Sequence, residues 1–286
     1  MKSPLGLLLA RCTRLLPVIF IAFNGLQSAF GELPSLGKPP WTGYFVVYSS
    51  KIYQFGIYAS GEIRLSAMAA NNEPVMEKLV VPILVAIEET LPDGKVEIRK
   101  VQPGSLQSGQ AASDRLEKAI ITGKVAGDAT FECTVEQSRG TILIGGRVLD
   151  PGTLKNPLRL VVRAAFSSPY PYLKDNQNEK AAEVFKKKTK ADGITFKRLD
   201  RKTDKLTVDQ NVDAASAEVN GPGIAEAEVK ICSYDSRKFV FVASANSAIT
   251  LENQAGQPLN KGFSIKWRPD SAKDPESRAR LAIEVR

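Results

Sequence analysis

The 286-residue sequence is 43% apolar and 24% charged, an ordinary globular balance with room for one large domain or two modest ones. Its net charge of +8 is carried partly by Lys2, Arg11 and Arg14 near the N-terminus. The excess left over the rest of the chain suits solubility, and argues against a nucleic-acid partner. No histidine occurs, which excludes Ser-His-Asp and Cys-His catalysis, histidine zinc sites and HExxH metalloproteases together.

The chain opens like a secretory leader. A basic start is followed by the apolar run Leu15–Phe23 (LLPVIFIAF), and Ala29 and Gly31 supply small residues for cleavage before Glu32. Asn24, Gln27 and Ser28 interrupt the run before it reaches the ~20 apolar residues that a span needs. Residues 1–31 are therefore expected to be a signal peptide. The mature protein is expected to be exported, periplasmic or extracellular, bacterial in origin, and without a membrane span.

From Trp41 the signal is strand after strand. TGYFVVYSS and IYQFGIY are aromatic and β-branched, and GEIRLSAM alternates with period two. LVVPILVAIEE is long and apolar, with Pro82 marking an edge, a bulge or a strand start. LPDGKVEIRKV is a turn and a strand, and QPGSLQSGQ a loop. ASDRLEKAIITG is expected to hold a short helical turn capped by Ser113. GDATFECTVE, GTILIGGRV and LRLVVRAAF are further strands, with Gly145-Gly146 read as a bulge or turn.

Composition then shifts. SSPYPYLKDNQNEKAAEVFKKKTKADG opens with prolines and ends in Lys186, Lys187, Lys188 and Lys190. It is expected to connect two β-rich halves, 32–172 and 193–286, through a linker with a short helix at 173–192. The strands GITFKRLD, KLTV, AEVKICS, KFVFVASA, SAITLE, GFSIKW and RLAIEVR follow. The class expected is all-β, with antiparallel sandwich or barrel-like halves.

After leader cleavage two cysteines remain, Cys133 and Cys232. By strand parity Cys133 points with Phe131 and Val135, whereas Cys232 falls on the polar side of its strand. A disulfide between them is one option, and two free thiols the other. At a constant offset of 98 residues, Ser138-Arg139 falls on Ser236-Arg237 and Ile121-Thr122-Gly123 on Val219-Asn220-Gly221. A duplicated strand–turn–strand unit is one explanation. Each hairpin is expected to turn at its exposed Ser-Arg pair.

Two features carry possible chemistry. Asp209, Asn211 and Asp213 have the D-x-N-x-D spacing of a calcium loop, but Ala214 and Asn220 stand where an EF-hand needs Gly and Glu. They read as a loose calcium cage or as solvated turn residues; no other cofactor is indicated. Trp41, Tyr44, Tyr48 and Tyr53 belong to a dense aromatic stretch, which stacks on sugar rings or a partner if exposed and fills the core if buried. No nucleotide-binding glycine loop is present. Two functions compete. The favoured one is an exported non-catalytic β-protein with a binding or cell-envelope structural role, facing a protein or glycan surface. The other is a glycan-acting hydrolase using paired carboxylates, which needs no histidine.

Overall fold

Period-two alternation carries through into strands along the described chain. The computed structural model describes residues 32–69, 71–74, 80–168, 190–231, 237–253 and 257–286. The expected leader, 1–31, and most of the 173–192 stretch lie outside them. The first strands are β1 (Tyr44–Ser49), β2 (Tyr53–Tyr58), β3 (Ile63–Ala67), β4 (Val81–Thr90) and β5 (Val96–Arg99). They are followed by β6 (Lys118–Lys124), β7 (Thr130–Ser138), β8 (Thr141–Asp150) and β9 (Leu158–Ser167). Beyond the linker stretch come β10 (Gly193–Arg198), β11 (Thr203–Thr207), β12 (Ile224–Lys230), β13 (Lys238–Ala243), β14 (Ser247–Asn253), β15 (Gly262–Pro269) and β16 (Leu281–Val285).

All pairings between these strands are antiparallel, as expected for an all-β chain. The sheet runs β1-β2-β3-β4-β9-β15-β14-β12-β13-β16-β8-β7-β6, with β5, β10 and β11 beside it. It nearly closes into a barrel. The seam is made by the segment before β6: Ser113 exchanges backbone bonds with Phe45 and Val47 of β1, and the Leu116 N–H donates to the Val47 carbonyl. Closure of this kind removes most of the naked edge that an open sheet would present. Both expected halves contribute to the one sheet, because β9 pairs with β15 and β8 with β16.

The core is aromatic where opposite parts of the sheet meet. Phe166 of β9 stacks on Phe263 of β15 at 4.9 Å and meets Phe239 and Phe241 of β13 edge-on at 5.6 and 6.0 Å. Burying each such ring contributes roughly 1.5–3 kcal/mol. Cys133 lies inward, as its parity requires, and is a buried free thiol. Cys232 lies outside the described residues.

The first hairpin forms as expected, and the two strands of the second pair antiparallel as expected. In the first, Ser138 pairs with Thr141 around Arg139 and Gly140, whose φ values of 51° and 83° make a two-residue turn of the type that matches strand twist. In the second, Lys230 pairs with Lys238, and 232–236 lie outside the described residues. Strands β8 and β13 are interior strands, each beside β16.

Several expectations are corrected. Ser113 caps no helix: its Oγ accepts from the Arg115 N–H in a tight turn, and the apolar alternation of KAIITGK wins as strand β6. The 98-residue correspondence stops at the hairpins, since β6 falls on a single helical turn, α1 (Ala217–Asn220), capped by Ser216. Arg237 is not free at a turn end; its guanidinium donates to the Met68 carbonyl at 3.3 Å. Gly145 and Gly146 are neither bulge nor turn. They admit close neighbours, because a Cβ on Gly146 would lie 2.1 Å from the Glu132 carbonyl oxygen and one on Gly145 would lie 2.7 Å from that of Ala279.

Candidate functional site

Strand parity builds a polar lattice on the outer face of β4-β9-β15-β14. The odd residues of β4, β14 and β15 and the even residues of β9 turn inward, so Glu88, Arg159, Arg163, Ser264, Lys266, Arg268, Thr250 and Glu252 share the opposite face. Register then sets the neighbours. Glu88 lies opposite Arg159, Lys266 opposite both Arg163 and Thr250, and Ser264 opposite Glu252.

Glu88 is the centre of the cluster. Its carboxylate is closed off from solvent and accepts from Arg159 Nε at 2.9 Å and Lys266 Nζ at 3.1 Å, with Arg268 at 3.6 Å. Lys266 Nζ also contacts the Glu252 carboxylate, so one ammonium bridges two acids. Glu252 is the more open of the two, with 27% of its side chain exposed. Arg163 Nε donates to Ser264 Oγ at 2.8 Å and stands 3.9 Å from Glu252. A buried carboxylate is tolerated only with such pairing, because an uncompensated charge would cost several kcal/mol.

A second acid, Glu89, turns to the core side at the end of β4. Asn156 and Arg99 both donate to it, at 2.7 and 2.8 Å, and hold its carboxyl below the usual carboxylate range. This is a strand-end clamp joining β4, β5 and the turn before β9.

The aromatic candidates part company. Tyr53 is a core residue: its hydroxyl donates to the Gly140 carbonyl at 2.6 Å, and burial, with Tyr48 beside it, pushes its pKa up. Tyr48 packs on it at 5.1 Å. Trp41 and Tyr44 instead meet edge-on at 5.7 Å, and Tyr44 lies 4.0 Å from Tyr58, over which the Arg64 guanidinium sits at 4.7 Å. Trp41 also lines a broad surface groove between residues 32–41 and 104–114.

Asp209, Asn211 and Asp213 are exposed in the loop before α1, where the Asp213 carboxylate accepts from the Ala215 N–H. Among the described residues no group of three or more acidic or cysteine side chains is placed to hold a metal ion, and no helix is long and apolar enough to cross a membrane.

Reading the sequence alone missed the charged lattice. Its signal was present as polar residues at alternate positions of LRLVVRAAF, SAITLEN and GFSIKWRP. What could not be read was which of these strands lie side by side.

No protein-family model matches the sequence, and no curated protein matches it. Solved structures do share the fold. The α-N-acetylgalactosaminidase NagBb from Bifidobacterium bifidum superposes with a TM-score of 0.53 at 10% identity, over 84% of this chain and 36% of that one. Its GalNAc complex gives 0.52 at 12% identity over the same shares. A putative aldose 1-epimerase from Escherichia coli K12 gives 0.43 at 10% identity, covering 84% of this chain and 98% of that one. The chain thus spans about a third of the glycosidase's length, and at this identity the likeness is one of fold. The comparison nonetheless corrects the favoured expectation of a non-catalytic binding or envelope-structural protein. The fold is one that an α-N-acetylgalactosaminidase carries.

Proposed function

We propose that this chain acts on carbohydrate as a hydrolase, with the outer face of β4-β9-β15-β14 as its site. The observation that carries the reading is the sharing of Lys266 by Glu88 and Glu252. Two carboxylates joined through one ammonium are close neighbours, and glycoside hydrolysis works through carboxyl pairs held roughly 5–9.5 Å apart. The fold shared with an α-N-acetylgalactosaminidase supports the same class. The leader-like residues 1–31 support an exported location, where glycans are encountered.

The pair is asymmetric. Glu252 is the acid that a sugar can reach, and Glu88, closed off from solvent, acts on it through Lys266 as a positioning residue. In this scheme Glu252, ion-paired with Lys266, takes a proton from the water that adds at the anomeric carbon as the bond to the glycosidic oxygen breaks. The departing oxygen takes a proton from the Lys266 ammonium, which regains it from Glu252.

The test is sugar release by the full chain from a panel of α- and β-linked chromogenic glycosides, α-N-acetylgalactosaminide included. Glu252→Gln should lower the rate about 100-fold or more, with an unchanged melting temperature. Failure to release sugar from any member would overturn the proposal.

A further inference from the structure

The same face carries more positive than negative charge. Four cations, Arg159, Arg163, Lys266 and Arg268, meet two carboxylates, Glu88 and Glu252. Two of the cations are left with spare donors. Arg163 uses only Nε, toward Ser264, and 48% of its side chain is exposed. Arg268 stands 3.6 Å from Glu88, beyond hydrogen-bond reach, with 29% of its side chain exposed. Among the described residues, neither guanidinium donates a hydrogen bond through its terminal nitrogens.

Their placement matters as much as their number. Arg163 lies opposite Lys266 on the adjacent strand, and Arg268 is two residues further along β15 on the same face. They are therefore diagonal neighbours, about 7–8 Å apart at the backbone. Planar guanidinium forks at that spacing suit an anionic group held by two donors from each side. A neutral sugar would leave the excess of cations over carboxylates on this face unmatched.

We infer that this face takes glycans bearing a carboxylate or sulfate group, with Arg163 and Arg268 as the anion clamp beside Glu252. The inference rests on the carbohydrate reading above and narrows it to an anionic substrate class.

The experiment is binding of the full chain to polygalacturonate, to a sulfated polysaccharide and to neutral dextran at low and at raised salt. Arg163→Gln, Arg268→Gln and Arg147→Gln are compared, with melting temperatures as the folding control. Arg147 is an exposed arginine on β8, paired with Glu132 and outside the lattice. Wild type should bind one or both anionic polymers and not dextran, and the preferred polymer identifies the anion. Arg163→Gln and Arg268→Gln should each weaken that binding about tenfold or more, the loss of a charge-assisted contact. Arg147→Gln should bind like wild type. Equal binding of dextran, or equal weakening by Arg147→Gln, would overturn the clamp. Anionic binding that needs both arginines, with no sugar release, would sink the hydrolase reading alone. Sugar release from neutral glycosides, with no anionic preference, would sink the clamp alone.

Discussion

Glu88 on β4 and Lys266 on β15 form an ion pair of 3.1 Å across the whole width of the strand between them. Strands are spaced about 4.8 Å apart, so the lysine stem must lie along the sheet, over β9, to reach. The pair fastens three strands at their outer face. Replacing Glu88 by Gln should therefore cost about 3 kcal/mol, since it leaves Arg159 and Lys266 without their buried partner. Glu252→Gln, at the open side, should cost less than about 1 kcal/mol. Urea midpoints of the two variants check the contrast, and equal losses would show that Glu88 contributes no more than a surface charge.

Asn220 holds a loop to the sheet. It is buried, its amide donates to the carbonyls of Ala214 and Leu251, and its oxygen accepts from the Leu251 N–H at 2.8 Å. Asn220→Ala would leave these backbone groups unpaired and should cost about 2–3 kcal/mol. Asn220→Asp keeps the shape but loses the donors, and should rescue little. Thermal melts of both variants test this, and a neutral Asp variant would count against it.

Which parts of this architecture were legible depends on the range over which the signal acts. Cys133 could be placed inward because alternation along FECTVE is local, and Arg139 at a turn because a polar pair between two apolar runs is local too. The segment around Ser113 misled because a cap-like serine before Leu116 imitates a helix start, while the pull that makes it a seam comes from β1. The Glu88–Lys266–Glu252 cluster was invisible for a stronger reason. Its members become neighbours only once β4, β9, β15 and β14 are set in order and register, and period-two patterning fixes a strand's faces without naming its partners. The aromatic stretch 41–58 read as one set for the same reason, and the pleat divided it.

The turn of the first hairpin is open to adjustment. Arg139 has φ of 51°, a conformation that costs an ordinary L-residue roughly 1 kcal/mol. Arg139→Gly should be neutral or should stabilise by a few tenths of a kcal/mol, whereas Ile144→Ala, a few residues on in the core, should cost about 2–4 kcal/mol. A destabilised Arg139→Gly would reveal a contact of that side chain.

Burial pushes the Cys133 thiol up to about 12. A thiol whose pKa is raised on folding contributes stability that is intact below the unfolded value near 8.5 and is lost as pH climbs toward the folded one. Wild type should weaken between about pH 9 and 12, and Cys133→Ala should weaken less over that window. Denaturant titrations at pH 7, 9 and 10.5 test it. Parallel slopes for the two proteins would rule the thiol out, and native-state alkylation of Cys133 at pH 8 would contradict its burial.

The leader reading has its own test. Expression of residues 1–286 in a secreting bacterial host should yield an exported protein whose intact mass begins at Glu32. A cytoplasmic product that keeps Met1 to Gly31 would refute it.

Strand β16 enters the sheet between β13 and β8, although it follows the other strands of the described residues in sequence. A ribosome must therefore release β8 well over a hundred residues before its neighbour exists. During synthesis the two apolar strands that will flank β16 carry unpaired backbone edges, each able to recruit a strand from another chain. Closure of the sheet between β13 and β8 waits for β16, which makes Leu281–Val285 a latch. A mutation there would act first on yield and aggregation in the cell, before any measure of the purified protein's stability registered it.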